Sequence, residues 1–237
     1  MYKDEVEDFW PSISDLMSGL MIIFMFIAIS FMLKVNDEKV KIQSIAKEYV
    51  ELKSEIYQEL AEEFVNDLDK WNAHIDEETL SVNFNEPDIF FKQGSSDLND
   101  TFKGILDDFF PRYIKILSKS KYRDEIEEVR IEGHTSSEWS KRAKPMESYF
   151  NNMKLSQGRT RKTLEYVMGL EKMKVYSEFM INKVTANGLS YSKRIIDNNG
   201  FEDKKMSRRV EFKIRTAADK KINKILIGAI KNENNKL

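Results

Sequence analysis

The chain has 237 residues, and its 38 Lys and Arg nearly balance 40 Asp and Glu, for a formal net charge of −2. That length allows one membrane anchor and one domain of roughly 140 residues, and the charge balance excludes a strongly basic nucleic-acid surface, which needs clustered excess Lys and Arg. With no Cys and only two His, His74 and His134, the chain excludes disulfides, thiol catalysis and thiolate metal sites, and it disfavours a multi-His metal centre.

From Leu16 to Leu33 the chain runs LMSGLMIIFMFIAISFML, eighteen residues without a charge. With Phe9, Trp10, Pro11 and Ile13 ahead of it, the stretch is long enough to cross a bilayer as a helix of about 20 residues. The transmembrane helix is therefore assigned to residues 11–33. Phe9 and Trp10 suit the interfacial aromatic belt, and Lys34 can snorkel at the far end. Pro11 falls in the first turn, where its missing N–H has no partner to lose. A cleaved signal peptide fits less well, because the leading YKDEVEDFW is net acidic and no A-x-A pattern follows.

Asp15 lies inside this segment, more than a turn beyond Trp10. A lone carboxylate costs about 2.5–3.5 kcal/mol at a central membrane position on insertion scales. Asp15 either marks the helix start, where an acid favours the N-terminal dipole, or faces other protein helices as a protonatable group. The depth favours the second reading.

Residues 34–74 read as a helical stalk. From Val35 to Trp71 there is no Gly or Pro. Ile42, Ile45, Tyr49, Leu52 and Ile56 recur in alternating steps of three and four, a heptad seam for a short coiled coil between two identical chains. Leu60, Phe64 and Leu68 drift to a four-residue step, so an amphipathic helix packed on its own domain gives the same signal. No Gly/Ser linker intervenes, which favours a stiff connection.

Residues 75–216 read as a two-layer α/β sandwich, since strands alternate with helices. Leu80 to Phe84 alternates as a strand that Ile89 to Phe91 continues, before a turn at Gln93 to Ser96. Asp100 or Thr101 can cap a helix to Leu117. Glu128 to Glu132 is a strand ending at Gly133, Leu155 to Gly169 a helix, and Lys172 to Ile181 a shorter one. Val184 to Leu189 and Arg209 to Ile214 are strands, and residues 217–237 form a tail expected to be helical.

Two strings carry a family resemblance. Asp15-Leu16-Met17-Ser18, followed by a Met/Phe/Ile-rich helix, resembles the membrane segment of proton-driven stator subunits, the MotB, TolR and ExbD group. The resemblance implies that Asp15 carries protons past a ring of partner subunits, with Ser18 hydrogen-bonding near the carboxylate and Gly19 allowing close helix approach. Phe91 to Leu98, Ile131-Glu132-Gly133-His134-Thr135, Asn152-x-x-Leu155-Ser156-x-x-Arg159 and Arg208-Arg209-Val210-Glu211 together resemble the OmpA-like peptidoglycan-binding domain over about 140 residues. That family's arginine binds a carboxylate of the peptide stem, which implies the role for Arg159, with Asn152 and Leu155 shaping the pocket. A guanidinium forks onto a carboxylate, so the residue type fits.

One departure stands out. The family has Asp after Gly-His-Thr, where this chain has Ser136, and extra residues lie before Asn152. Ser supplies no charge, so Glu138 or Glu147 is a candidate replacement. His134 has no second ligand near it in the sequence, and no metal or cofactor is expected.

The combination is most similar to the B subunit of Zorya anti-phage systems (ZorB). It implies a homodimer inside five copies of a multi-span MotA/ZorA-like subunit, anchored to peptidoglycan from the bacterial inner membrane, with lipid around the helix and no nucleic-acid partner. Residues 1–10 would then be cytoplasmic and the C-terminal domain periplasmic. The positive-inside rule alone points the other way, because Lys3 is the only basic residue before the anchor and Lys34, Lys39, Lys41 and Lys47 follow it. A flagellar MotB-like subunit and a passive wall tether are the alternatives. An enzyme is not expected, since no Walker A loop, GxSxG elbow or HExxH helix occurs.

Overall fold

The computed structural model describes residues 9–85, 90–91, 94–140 and 142–217. The expected cytoplasmic tail and C-terminal helix therefore lie almost wholly outside the described residues. The chain divides into two compact units, Met1–Glu48 and Tyr49–Leu237. Helix α1, Phe9–Phe64, supplies the first unit and the opening of the second.

In the first unit the most apolar eighteen-residue window has a mean hydropathy of 2.5, and none of it is buried. At about 1.5 Å per residue such a window spans the hydrocarbon core of a bilayer. Its Leu, Ile, Met and Phe side chains are exposed among the described residues, a surface that suits lipid or partner helices.

The second unit is a five-stranded sheet with helices packed on one face. Its elements are β1 (Ala73–Asp76), β2 (Ser81–Asn85), α2 (Asp100–Leu117), β3 (Ile126–His134), α3 (Pro145–Met168), α4 (Ser177–Lys183), β4 (Val184–Gly188), α5 (Lys204–Ser207) and β5 (Arg209–Thr216). A 3-10 turn, Glu171–Tyr176, leads into α4. The strand order is β1-β2-β5-β3-β4. Only β3 and β4 run parallel, and α3 with α4 makes the crossover between them.

Alternation sorts the side chains. Val82, Phe84, Val129, Ile131, Val210, Phe212 and Ile214 face the helices and are buried, while Asn83, Arg130, Glu132, Glu211 and Lys213 line a groove on the opposite, polar face. Phe84 centres the core, with ring centroids 5.0 Å from Phe109 and 5.6 Å from Phe212. The domain end of α1 completes it, since Ile56, Leu60 and Phe64 are wholly buried. The four-residue step at 56, 60 and 64 is thus a stripe against the chain's own domain. Arg112 of α2 holds that end, donating to Glu63 Oε1 at 2.7 Å and to Asp67 Oδ2 at 3.0 Å.

Several element limits differ from the sequence reading. The helix stops at Phe64 and β1 follows at Ala73, inside the span read as stalk. The strand owes its existence to pairing with β2, Ala73 opposite Phe84, rather than to its own short run. Asn99 caps α2, its side chain accepting from Phe102 N at 2.8 Å, in place of Asp100 or Thr101. Phe91 makes an isolated bridge to Leu98 instead of extending β2, and Ile89 and Gln93 lie outside the described residues. Helix α3 begins at Pro145, ten residues before Leu155, because Pro suits a first helical turn.

Candidate functional site

Helix α3 sets the site. Asn152, Leu155 and Arg159 recur at three and four residues, so they share one face. Two glycines let that helix lie close to the sheet. Gly133 on β3 and Gly188 on β4 are register partners. A Cβ on Gly133 would meet Ser156 O at 2.9 Å, and one on Gly188 would meet Gln157 N at 2.2 Å. Ser190 N then donates to Ser156 Oγ at 3.1 Å, fastening the helix to the end of β4.

A cavity of about 480 Å³ opens beside this face, lined by Gly94, Thr135, Ser136, Glu138, Trp139, Asn152, Leu155, Arg159 and Arg208. Five of these, Asn152, Leu155, Arg159, Ser136 and Glu138, are the residues that the sequence suggests for wall binding. Glu147 is exposed on α3 and does not line it.

Arg159 is held in place from two sides. Its Nε donates to Ser95 O at 3.1 Å, and its guanidinium lies 4.8 Å from the Phe91 ring centroid. Asn152 Nδ2 and Thr135 Oγ1 are buried with no hydrogen-bond partner among the described residues. An amide and a hydroxyl left so in a polar cavity are positions for a ligand, because an unmade buried hydrogen bond costs about 1–3 kcal/mol. Ser136 is buried and neutral. Glu138, the one acid among the described residues on the wall, is an exposed rim residue with its Oε2 3.4 Å from Lys204 Nζ. The cavity as a whole is suited to an anion.

Asp15 sits on α1 in the first unit, exposed, its carboxylate making no hydrogen bond or ion pair among the described residues. Ser18 Oγ donates to Ser14 O at 2.8 Å, so its hydroxyl serves the helix backbone rather than the carboxylate. A Cβ on Gly19 would meet nothing within 4 Å, which leaves that face open to another helix.

No protein-family model matches the chain. The Zorya protein ZorB of Escherichia coli strain ATCC 8739 is 47% identical over 224 residues, which cover 94% of each chain. The chain belongs to the ZorB family. Among solved structures, a MotB-like protein from Desulfovibrio vulgaris shares 21% identity, covering 71% of this chain and 94% of that one with a TM-score of 0.49. The cell wall anchor of the type VI secretion system of Pseudomonas aeruginosa shares 20% identity over 66% of this chain and 96% of its own, with a TM-score of 0.44.

His134 has partners that the sequence reading missed. Its Nε2 lies 3.2 Å from Glu211 Oε2 and 3.6 Å from Glu132 Oε2, and all three side chains are buried. Glu132 and Glu211 are opposite each other across β3 and β5, an adverse like-charge pair unless cations intervene. The set has metal-ligand chemistry. The same Glu211 oxygen, however, accepts from Arg209 Nε at 3.3 Å and Nη2 at 3.2 Å, and Lys213 Nζ lies 3.7 Å from the other. A divalent ion would have to displace these cations, which already neutralise Glu211 from its own strand, β5. Burial works to raise the Glu211 carboxyl, but the close approach of His134 Nε2 and the charges of Arg209 and Lys213 prevail and hold it at about 2.

Gly94, Thr135, Trp139 and Arg208 complete the cavity wall. Thr135 and Arg208 stand in the resembling strings, but only the fold brings them beside Arg159. Trp139 gave no sequence signal beyond being an indole in a polar insertion.

Proposed function

We propose that this chain is the ion-conducting B subunit of a Zorya stator complex, anchored to peptidoglycan by the cavity around Arg159. The observation that carries the wall-binding reading is the cavity itself, where a fixed guanidinium, an Asn152 amide and a Thr135 hydroxyl converge on one space. Such a set takes up a peptide carboxylate bidentately and satisfies its remaining lone pairs. Family membership and the OmpA-like strings support the same ligand, a carboxylate of the peptide stem.

The motor reading rests on Asp15. A passive tether has no use for an acid within an apolar helix, whereas a proton carrier needs one. Two copies of α1 would stand inside a ring of five multi-span ZorA-like subunits, each Asp15 facing a ring helix. The neutral carboxyl passes apolar surface at lower cost than the charged one. The membrane potential contributes about 2.3 kcal/mol per charge per 100 mV, which biases the cycle in one direction. The N-terminal tail would be cytoplasmic and the α/β domain periplasmic.

Asp15→Asn tests the mechanism, because it keeps shape and hydrogen bonding and cannot release a proton. The variant should co-purify with its multi-span partner at the wild-type ratio and lose phage protection. Full protection from a correctly assembled Asp15→Asn complex would refute proton carriage and favour a tether.

A further inference from the structure

We propose that Trp139 is a sugar-stacking platform, so that the Arg159 cavity reads the glycan strand of the wall together with its peptide. The proposal deepens the wall-binding reading and rests on it. Trp139 is the large aromatic among the described residues that line the cavity, most of them polar, and it stays 42% exposed in the free chain. Leaving that much indole in water forgoes burial worth about 25 cal/mol per Å². The expense is recovered when a ligand with a flat apolar face covers the ring.

The backbone leading to the indole is tied down at Ser137. Ser137 N donates to Glu202 Oε1 at 2.9 Å, and the Ser137 hydroxyl hydrogen-bonds the other oxygen of the same carboxylate. Ser148 Oγ of α3 donates to Ser137 O at 3.1 Å. Two residues before Trp139 the backbone is thus anchored both to the segment ahead of α5 and to the helix carrying Arg159. A side chain with two rotatable angles that follows an anchored backbone loses little entropy on contact, which suits a recognition platform.

A pyranose is the chemistry that fits. One face of the ring presents C–H groups, which pack on the indole, while its hydroxyl and amide groups remain at the edge. The neighbouring Ser136 supplies a neutral hydrogen-bonding group, as sugar hydroxyls and acetamides require, and no charge. In peptidoglycan the stem peptide is joined to such a sugar, so one ligand can place a carboxylate at Arg159 and a ring at Trp139.

The test compares two probes on the detergent-solubilised full chain by calorimetry, a free stem tripeptide and the same tripeptide joined to its N-acetylated disaccharide. The wild type should bind the sugar-linked probe about three- to tenfold tighter, the range that aromatic contacts give. Trp139→Ala should bring both probes to the affinity of the free peptide, and Trp139→Phe should keep most of the difference. Equal affinity of the wild type for the two probes, or an undiminished difference in Trp139→Ala, overturns the proposal. Arg159→Ala separates the readings, because it should weaken both probes alike. If Arg159→Ala leaves the free tripeptide unaffected, the carboxylate reading fails, and the platform with it.

Discussion

A single methyl group at Gly188 should loosen the domain and empty the binding face at once. The Cβ of Gly188→Ala falls 2.2 Å from Gln157 N and 2.6 Å from its Cα, both backbone atoms of α3. Ordinary contact needs at least about 3.4 Å, so α3 must retreat by about 1 Å, or β4 must yield. Overpacking of this kind costs about 1–3 kcal/mol, and a clash with backbone belongs at the upper end. For a domain of this size each kcal/mol lowers Tm by about 2–4 °C, so a fall of about 4–12 °C is expected. Asn152, Leu155 and Arg159 ride on the displaced helix, and peptidoglycan pull-down should weaken with them. Gly104→Ala is the matched control. It lies within α2, its added Cβ meets nothing within 4 Å, and Ala for Gly in a helix is worth about 0.5–1 kcal/mol of added stability. Thermal unfolding and pull-down of the detergent-solubilised variants decide the matter. An unchanged Tm with unchanged pull-down for Gly188→Ala would refute the claim that glycine sets the α3 spacing.

Glu211 makes the domain acid-sensitive. A carboxyl lowered from 4.5 to about 2 contributes stability that is fully present above pH 4.5 and is lost as pH falls through 2. The contribution is about 3 kcal/mol, so Glu211→Gln should lower stability at pH 7 and flatten its loss between pH 5 and 2 in urea titrations. Arg112→Ala strands Glu63 and Asp108, leaves Asp67 with Lys70 alone, and uncovers the Phe64 ring. It should cost about 1–2 kcal/mol and make the α1 end more protease-sensitive, and unaltered proteolysis would mean that apolar packing alone holds that end. For topology, Ser120→Cys places a thiol on an exposed turn. It should react with a membrane-impermeant reagent in intact spheroplasts, and labelling only after lysis would sink the periplasmic assignment.

The sequence by itself determined what depends on local composition and period. The uncharged run from Leu16 to Leu33 needs no tertiary partner to be recognised, because membrane length is a property of the run itself. Strands β2, β3, β4 and β5 were legible from alternation, and Leu155 and Arg159 fell on one face of a legible helix, whereas Asn152 joined that face only because α3 begins at Pro145. Tertiary structure decided the rest. Whether Ile56, Leu60 and Phe64 meet a second chain or their own domain cannot be read from spacing, since both uses bury the same stripe. Strand β1 exists because β2 offers an edge. His134 acquires Glu211 only because β5 inserts beside β3, a pairing between residues far apart in sequence. Trp139 joins Arg159 because Glu202 pins the loop from elsewhere in the chain. Contacts of this range depend on where the backbone closes in space, and a one-dimensional pattern carries no record of that closure.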